Sequence, residues 1–161
     1  QEIQRLIGRS LRAAVRRDLM GERSLTADCD VLQADGSTRT SSISGAWTAM
    51  AIAFGRMYEQ GLIREWPLAE QIAAVAVGLN NGVAVADLDY GEDFDCDVDL
   101  NLVFTGEGKL VEVQGTAEGA AFSRAELDAM LDMGWTGAQQ VMAKQHEVVG
   151  PRLEALGLEM P

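Results

Sequence analysis

The sequence predicts an α+β fold, a two-layer mixed sheet with covering helices, and two observations carry that expectation. Stretches of small and β-branched residues flank short glycine turns in the middle of the chain, as paired strands do. Longer segments with apolar residues three and four apart bracket them on both sides, as amphipathic helices do. With 161 residues, 47% of them hydrophobic, the chain is long enough to bury a core.

Taken in order, Ile3, Leu6, Ile7, Leu11 and Ala14 recur at helical spacing and predict a helix from Ile3 to about Arg17. Arg5, Arg9, Arg12 and Arg16 fall on another face of it, an arginine stripe that is either a solvated surface or a contact for RNA or a subunit. After the turn at Gly21-Glu22, Leu25 to Leu32 alternates small or apolar with polar residues, which predicts a half-buried strand with Asp28 and Asp30 on one face. The strand ends at Gly36, and an apolar helix follows from about Thr40 through Ile43, Trp47 and Phe54 to a stop near Gly61. Beyond Pro67, Ile72–Gly78 and Val83–Ala86 flank Asn80-Asn81-Gly82, whose asparagine-glycine step favours a hairpin. Val98–Phe104 and Leu110–Gln114 are joined by Gly106-Glu107-Gly108 and complete a four-stranded antiparallel or mixed sheet. Ser123 and Glu126 fit a capping box, opening a last helix to about Val149 with Leu127, Met130, Leu131, Ala138, Val141 and Met142 on its apolar face.

The composition excludes several function classes. No apolar run approaches bilayer length and the first residues lack a signal-peptide pattern, so a soluble cytoplasmic protein is expected, with no membrane partner. Cys29 and Cys96 have neither zinc-site nor disulfide spacing and read as buried free thiols. The net charge of -12 argues against nucleic-acid binding until its distribution is considered, since phosphate contacts need lysine or arginine. Seven of the thirteen basic residues lie within residues 1 to 39, and the acidic excess lies beyond.

A strand that ends in glycine and turns into a helix aims backbone N–H groups and the positive end of the helix dipole at one point. At Gly36-Ser37-Thr38-Arg39-Thr40 the hydroxyls of Ser37, Thr38 and Thr40 add donors, and Arg39 adds a planar fork matched to phosphate oxygens. Neither a Walker spacing with its lysine nor a GxGxxG fingerprint is present, which argues against a nucleoside triphosphatase or dinucleotide enzyme. On these grounds an anion site and an ordinary capped helix start are both open.

The run from Glu2 to Arg12, Gly21-Glu22-Arg23, the run from Asp28 to Thr40, Val98-Asp99-Leu100-Asn101 and Glu112 to Gly119 together resemble ribonuclease PH, in the same order and over nearly the whole chain. The part resembled is the carboxy-terminal two-thirds of that family, and the start at Gln1, without methionine, reads as a piece of a longer protein. The resemblance implies a ribosomal protein S5 domain 2-like fold lacking its amino-terminal strands. It places the rest of a first subdomain at residues 1–62, a second subdomain at 68–150 and a tail at 151–161. It also implies a phosphate-dependent 3′-to-5′ exoribonuclease, or tRNA nucleotidyltransferase, that trims tRNA precursors and other structured RNA 3′ ends and works as a homohexamer, a trimer of dimers. Ser37, Thr38 and Arg39 match the loop that holds the attacking inorganic phosphate, although Ser37 stands where a second glycine is typical and tolerates positive φ less well.

Seven of the thirteen residues from Asp87 to Asp99 are acidic, a density that needs solvent, protons or a cation. An EF-hand does not fit, because Gly91 is out of register. By resemblance, Asp93 and Asp99 are the catalytic pair and the ligands of a divalent metal, for which Mg²⁺ suits carboxylates plus substrate phosphates. Arg5, Arg9 and Arg12 are the expected RNA or interface residues. His146 reads as a surface residue and Trp47, Trp66 and Trp135 as packing residues. The alternative to an active enzyme is a catalytically inactive, exosome-like RNA-binding ring subunit; retention of Arg39 with Asp93 and Asp99 favours the enzyme.

Overall fold

A computed structural model describes residues 2–119 and 121–161. Its elements are α1 (Glu2–Ala13), a short 3-10 helix (Arg17–Met20), α2 (Thr38–Glu59), β1 (Ile72–Asn80), β2 (Val83–Ala86), α3 (Tyr90–Asp95), β3 (Val98–Thr105), β4 (Leu110–Ala117) and α4 (Arg124–Ala155). The α+β class holds. The strands form one sheet in the order β2-β1-β3-β4. Its three pairings are all antiparallel, so the expected mixed pairing is absent among the described strands. Two hairpins build it. In the first, Asn80 pairs with Val83 and the loop residues Asn81 and Gly82 both have positive φ, 49° and 77°, the two-residue turn that the asparagine-glycine step favours.

The strand expected at Leu25 to Leu32 does not form: the segment is exposed and carries no strand assignment. A strand persists only where neighbouring backbone accepts its hydrogen bonds, and no described strand lies beside this one. Cys29, expected buried, is therefore exposed, whereas Cys96 is buried as expected. The first helix ends at Ala13 rather than Arg17, because Val15 bridges to Leu68 and the Arg16 amide donates to the Pro67 carbonyl at 2.8 Å. The last helix passes Val149 and Pro151 to Ala155. Proline removes one helical hydrogen bond, but Val149 and Leu153 are fully buried on either side of it and Arg152 pairs with Glu59 of α2 at 2.8 Å.

Alternation along the strands divides the core. Ala73, Val75 and Val77 of β1, with Leu100, Leu102 and Phe104 of β3, pack against Met130, Ala138 and Met142 of α4. The intervening residues Ile72, Ala74 and Val103 join Leu6 of α1, and Ile43, Trp47 and Phe54 of α2. Where β2 stops, the exposed edge of β1 is covered by α2: the Ala74 amide donates to Ser44 Oγ at 2.9 Å, and that hydroxyl donates to the Ala74 carbonyl at 3.3 Å. Buried Gln145 of α4 locks the junction, donating to the carbonyls of Ser44 (3.1 Å) and Ile72 (3.0 Å) and accepting from Gln71 Nε2 (3.0 Å).

All three tryptophans serve packing, as expected. Trp47 is fully buried with its Nε1 donating to the Glu70 carbonyl at 3.0 Å, Trp66 meets Phe54 edge-on at 6.2 Å, and Trp135 lies against Phe104 at 5.6 Å. His146 is exposed. No described helix is long and apolar enough to cross a membrane.

Candidate active site

The loop from Gly36 to Thr40 sits where α2 begins, and its backbone lies directly against the chain entering α3. A Cβ on Gly36 would stand 2.2 Å from the Leu88 carbonyl oxygen, so only glycine permits this approach. Ser37 follows with φ 54° and ψ 25°, the left-handed conformation that the sequence flags as a glycine position. In that conformation it forms no side-chain cap, and its Oγ is buried without a partner.

The first ladder bond of α2 runs from the Ser41 amide to the Ser37 carbonyl at 3.0 Å, which leaves the amides of Thr38, Arg39 and Thr40 ahead of the ladder. The positive end of a 22-residue helix is thereby presented at the loop. The hydroxyl donors expected there are fewer than the composition suggests. Thr40 Oγ1 donates to the Ser37 carbonyl at 3.0 Å and Ser37 Oγ is covered, so Thr38 is the exposed hydroxyl of the three.

Facing the loop are the carboxylates. Asp89 caps α3, accepting from the Glu92 amide at 2.8 Å, while Glu92 reaches back to the Asp89 amide at 3.1 Å. This second capping box, with aspartate in the serine position, absorbs two of the seven acids and was legible in the Asp89-x-x-Glu92 spacing. Asp93 follows on α3. Asp99 lies on β3 and is half-buried. Alternation sets it on the same face as Val103, the face that packs against α1 and α2.

Asp99 reports the electrostatics of the whole site. Burial first, and then the negative charge of Asp93, push its carboxyl above the ordinary value; Arg39 opposes the rise and Glu118 adds to it. Arg39, from the loop, and Asp93, from α3, are thus both close enough to Asp99 to act on it, and the structure brings the two halves of the sequence prediction together. Glu118 is the residue that sequence reasoning missed. It stands two positions beyond Thr116, the β4 partner of Asp99, and so on the same face, but only the strand register reveals this. Cys96 is no nucleophile: burial, followed by the charges of Asp93 and Asp99, raises its thiol, which donates to the Asp93 carbonyl at 3.2 Å.

The arginine stripe is partly spent inside the chain. Arg9 forms a two-bond fork with Glu112 of β4 that ties α1 to the sheet, and its side chain stays half-exposed. Glu2 accepts from Gln114 Nε2 at 2.9 Å and reaches Arg39 at 3.6 Å, linking α1, β4 and the loop. Arg5 and Arg12 are exposed and have no ion-pair partner among the described residues. A groove of about 950 Å³ between α1, α2 and residues 25–31, lined by Ile3, Ile7, Leu11, Leu25, Val31 and Met50, reaches Thr38 and Arg39 at its rim. Among the described residues, no carboxylate lines it.

Among the described residues, no group of three or more histidine, cysteine, aspartate or glutamate side chains is arranged to cage a metal ion. The site is instead bipolar, with helix amides and Arg39 suited to an anion beside carboxylates short of positive charge.

Residues 1–54 match the family described as "3' exoribonuclease family, domain 1", and residues 70–137 match "3' exoribonuclease family, domain 2". The chain is 54% identical over 149 residues to a protein of Parasynechococcus marenigrum named Ribonuclease PH, covering 92% of this chain and 60% of that one. It is 50% identical over 149 residues to Ribonuclease PH of Neisseria gonorrhoeae, covering 92% of this chain and 62% of that one. It thus spans about three-fifths of the length of these curated relatives. Among solved structures, rice Rrp46 superposes with a TM-score of 0.68 at 17% identity, over 92% of this chain and 65% of that one. A structure described as the Archaeoglobus fulgidus exosome with RNA bound to the active site superposes with a TM-score of 0.62 at 18% identity, over 89% and 60%. At those identities the likeness concerns the fold alone. With both domains matched in order over more than half its length, the chain belongs to the 3′ exoribonuclease family.

Proposed function

We propose that this protein is a phosphorolytic 3′-to-5′ exoribonuclease that trims tRNA precursors, transferring terminal nucleotides to inorganic phosphate and releasing nucleoside diphosphates. The observation that carries the reading is the meeting of Arg39, at the amino terminus of α2, with Asp93 and Asp99, in a chain 50–54% identical to relatives named Ribonuclease PH. The same observation favours an enzyme over an inactive exosome-like ring subunit, because a ring subunit needs neither an anion seat nor charge-starved carboxylates.

In this reading the amides of Thr38, Arg39 and Thr40, together with the Thr38 hydroxyl and the Arg39 fork, seat inorganic phosphate, and Ser37 contributes the turn rather than its hydroxyl. A phosphate oxygen attacks the phosphorus of the last phosphodiester in line. A new P–O bond forms, the bond to the 3′-oxygen of the preceding nucleotide breaks, and that oxygen leaves as the new 3′-hydroxyl after gaining a proton. Arg39 holds the nucleophile and offsets its charge, and Asp99 and Asp93 fix the opposite side of the reacting group.

Asp93 and Asp99 fit a magnesium ion, since burial first and then the charge of Asp93 raise the Asp99 carboxyl, a cation offsets both, and Mg²⁺ takes one or two carboxylates together with water and phosphate oxygens. When bound, it would supply charge neutralisation at the reacting phosphate. RNA 3′ ends are the polymeric substrate, and exposed Arg5 and Arg12 are available for RNA or for subunit contacts within a homohexamer built as a trimer of dimers.

Phosphorolysis kinetics of Arg39→Ala test the loop. A lost charged hydrogen bond of about 1.5–3 kcal/mol corresponds to a roughly 10- to 150-fold fall in kcat/KM for phosphate. Unaltered turnover would overturn the assignment.

A further inference from the structure

Tyr90 and Phe94 stand one turn apart on α3 with ring centroids 6.4 Å apart and planes at 24°, a stacked pair. They are 68% and 78% exposed, so the core does not account for them. Residues three and four apart on a helix are surface neighbours. Tyr90 is three before Asp93 and four before Phe94, so the two rings and the proposed catalytic carboxylate form one continuous patch. The Leu88 and Asp89 backbone just ahead of Tyr90 is in turn the part that abuts Gly36 of the anion loop. The rings therefore flank the site on its α3 side.

We propose that Tyr90 and Phe94 are a stacking platform for the unpaired bases at the 3′ end of RNA, an inference that rests on the exoribonuclease reading above. A chain whose last phosphodiester lies between Arg39 and Asp93 brings its terminal bases beside α3, and every base has a π-face that an aromatic ring accepts irrespective of sequence. The nearby acids do not forbid this contact. Asp89 and Glu92 are engaged by backbone amides in the capping box, and stacking is made through the base rather than its phosphate. The platform thus selects single-stranded over paired 3′ ends, because a base inside a duplex has no free face to offer.

The test is fluorescence titration of a short single-stranded RNA carrying 2-aminopurine next to its 3′ terminus. The parent protein is expected to quench the probe. Phe94→Ala and Tyr90→Ala are expected to weaken binding about 5- to 100-fold, the range for losing one stacked base, and to relieve the quench, while Phe94→Trp retains both. Melting temperatures are expected to stay unchanged, as both side chains are exposed. Unquenched probe with the parent protein, or equal affinity in the alanine variants, would overturn the platform. So would a changed sedimentation coefficient with unaltered RNA binding, which would assign the rings to a subunit contact. Phosphate-dependent release of nucleoside diphosphates by the parent protein, run alongside, separates failure of the platform from failure of the exoribonuclease reading.

Discussion

Ser37→Gly is expected to stabilise this protein, although it removes a side chain from the heart of the proposed phosphate loop. Ser37 is held at φ 54°, and the left-handed region costs an L-residue about 1–2 kcal/mol relative to glycine. Its hydroxyl is buried without a partner, a further penalty of about 1–3 kcal/mol. Against these, glycine loses more backbone freedom on folding, about 0.5–1 kcal/mol. The balance is a gain of roughly 3 kcal/mol, which for a chain of this size raises the melting temperature by about 6–12 °C. Thermal unfolding followed by circular dichroism reads it directly. Ser37→Ala separates the causes, since it relieves the hydroxyl but leaves the backbone strained, and its rise is expected to be smaller. A glycine variant that melts at or below the parent temperature would refute the reasoning, and an alanine variant that matches the glycine one would remove strain from the account.

Two further expectations concern the core and the carboxylates. Gln145→Leu removes three hydrogen bonds in the junction of α2, β1 and α4, two to the carbonyls of Ser44 and Ile72 and one from Gln71, while Ser44 keeps Thr48 Oγ1 and Gln71 keeps the Met142 carbonyl. At about 0.5–1.5 kcal/mol each, stability is expected to fall by about 2–4 kcal/mol in urea unfolding, and an unchanged midpoint would show that the network contributes nothing. Asp99→Asn is expected to abolish RNA trimming while raising the melting temperature at neutral pH. Its folded carboxyl is held above the unfolded value, so the native state binds more protons than the unfolded chain, and stability falls as pH rises from the unfolded value through the raised one. The variant loses that slope; a parallel pH dependence in the two proteins would contradict the assignment.

The elements that local chemistry specifies were legible in the sequence. The Asn81-Gly82 hairpin, the Ser123–Glu126 capping box and the four central strands follow from turn residues, capping spacing and alternation, all of which act over a few residues. Leu25 to Leu32 shows the limit, because its alternation is that of a strand but strand formation depends on a neighbour that alternation does not reveal. The pull of Pro67 and Leu68 on Val15 and Arg16, which ends α1 early, is equally invisible to periodicity. In the candidate site, the strand-turn-helix pattern of the loop was visible in the residues themselves, whereas Asp93, Asp99 and the glycine position at Ser37 were singled out by the family resemblance. The contact between Gly36 and Leu88, the engagement of Arg9 by Glu112 and the approach of Glu118 to Asp99 were not legible, because each joins residues far apart in the chain through tertiary packing.

The central claim is that inorganic phosphate, seated by Thr38 and Arg39, is the nucleophile. Incubating the protein with a 3′-extended tRNA and Mg²⁺, with and without phosphate, and identifying the released nucleotides by chromatography tests it most directly. Nucleoside diphosphates whose release requires phosphate are the expected products; nucleoside monophosphates, or release that continues without phosphate, would overturn the phosphorolytic mechanism.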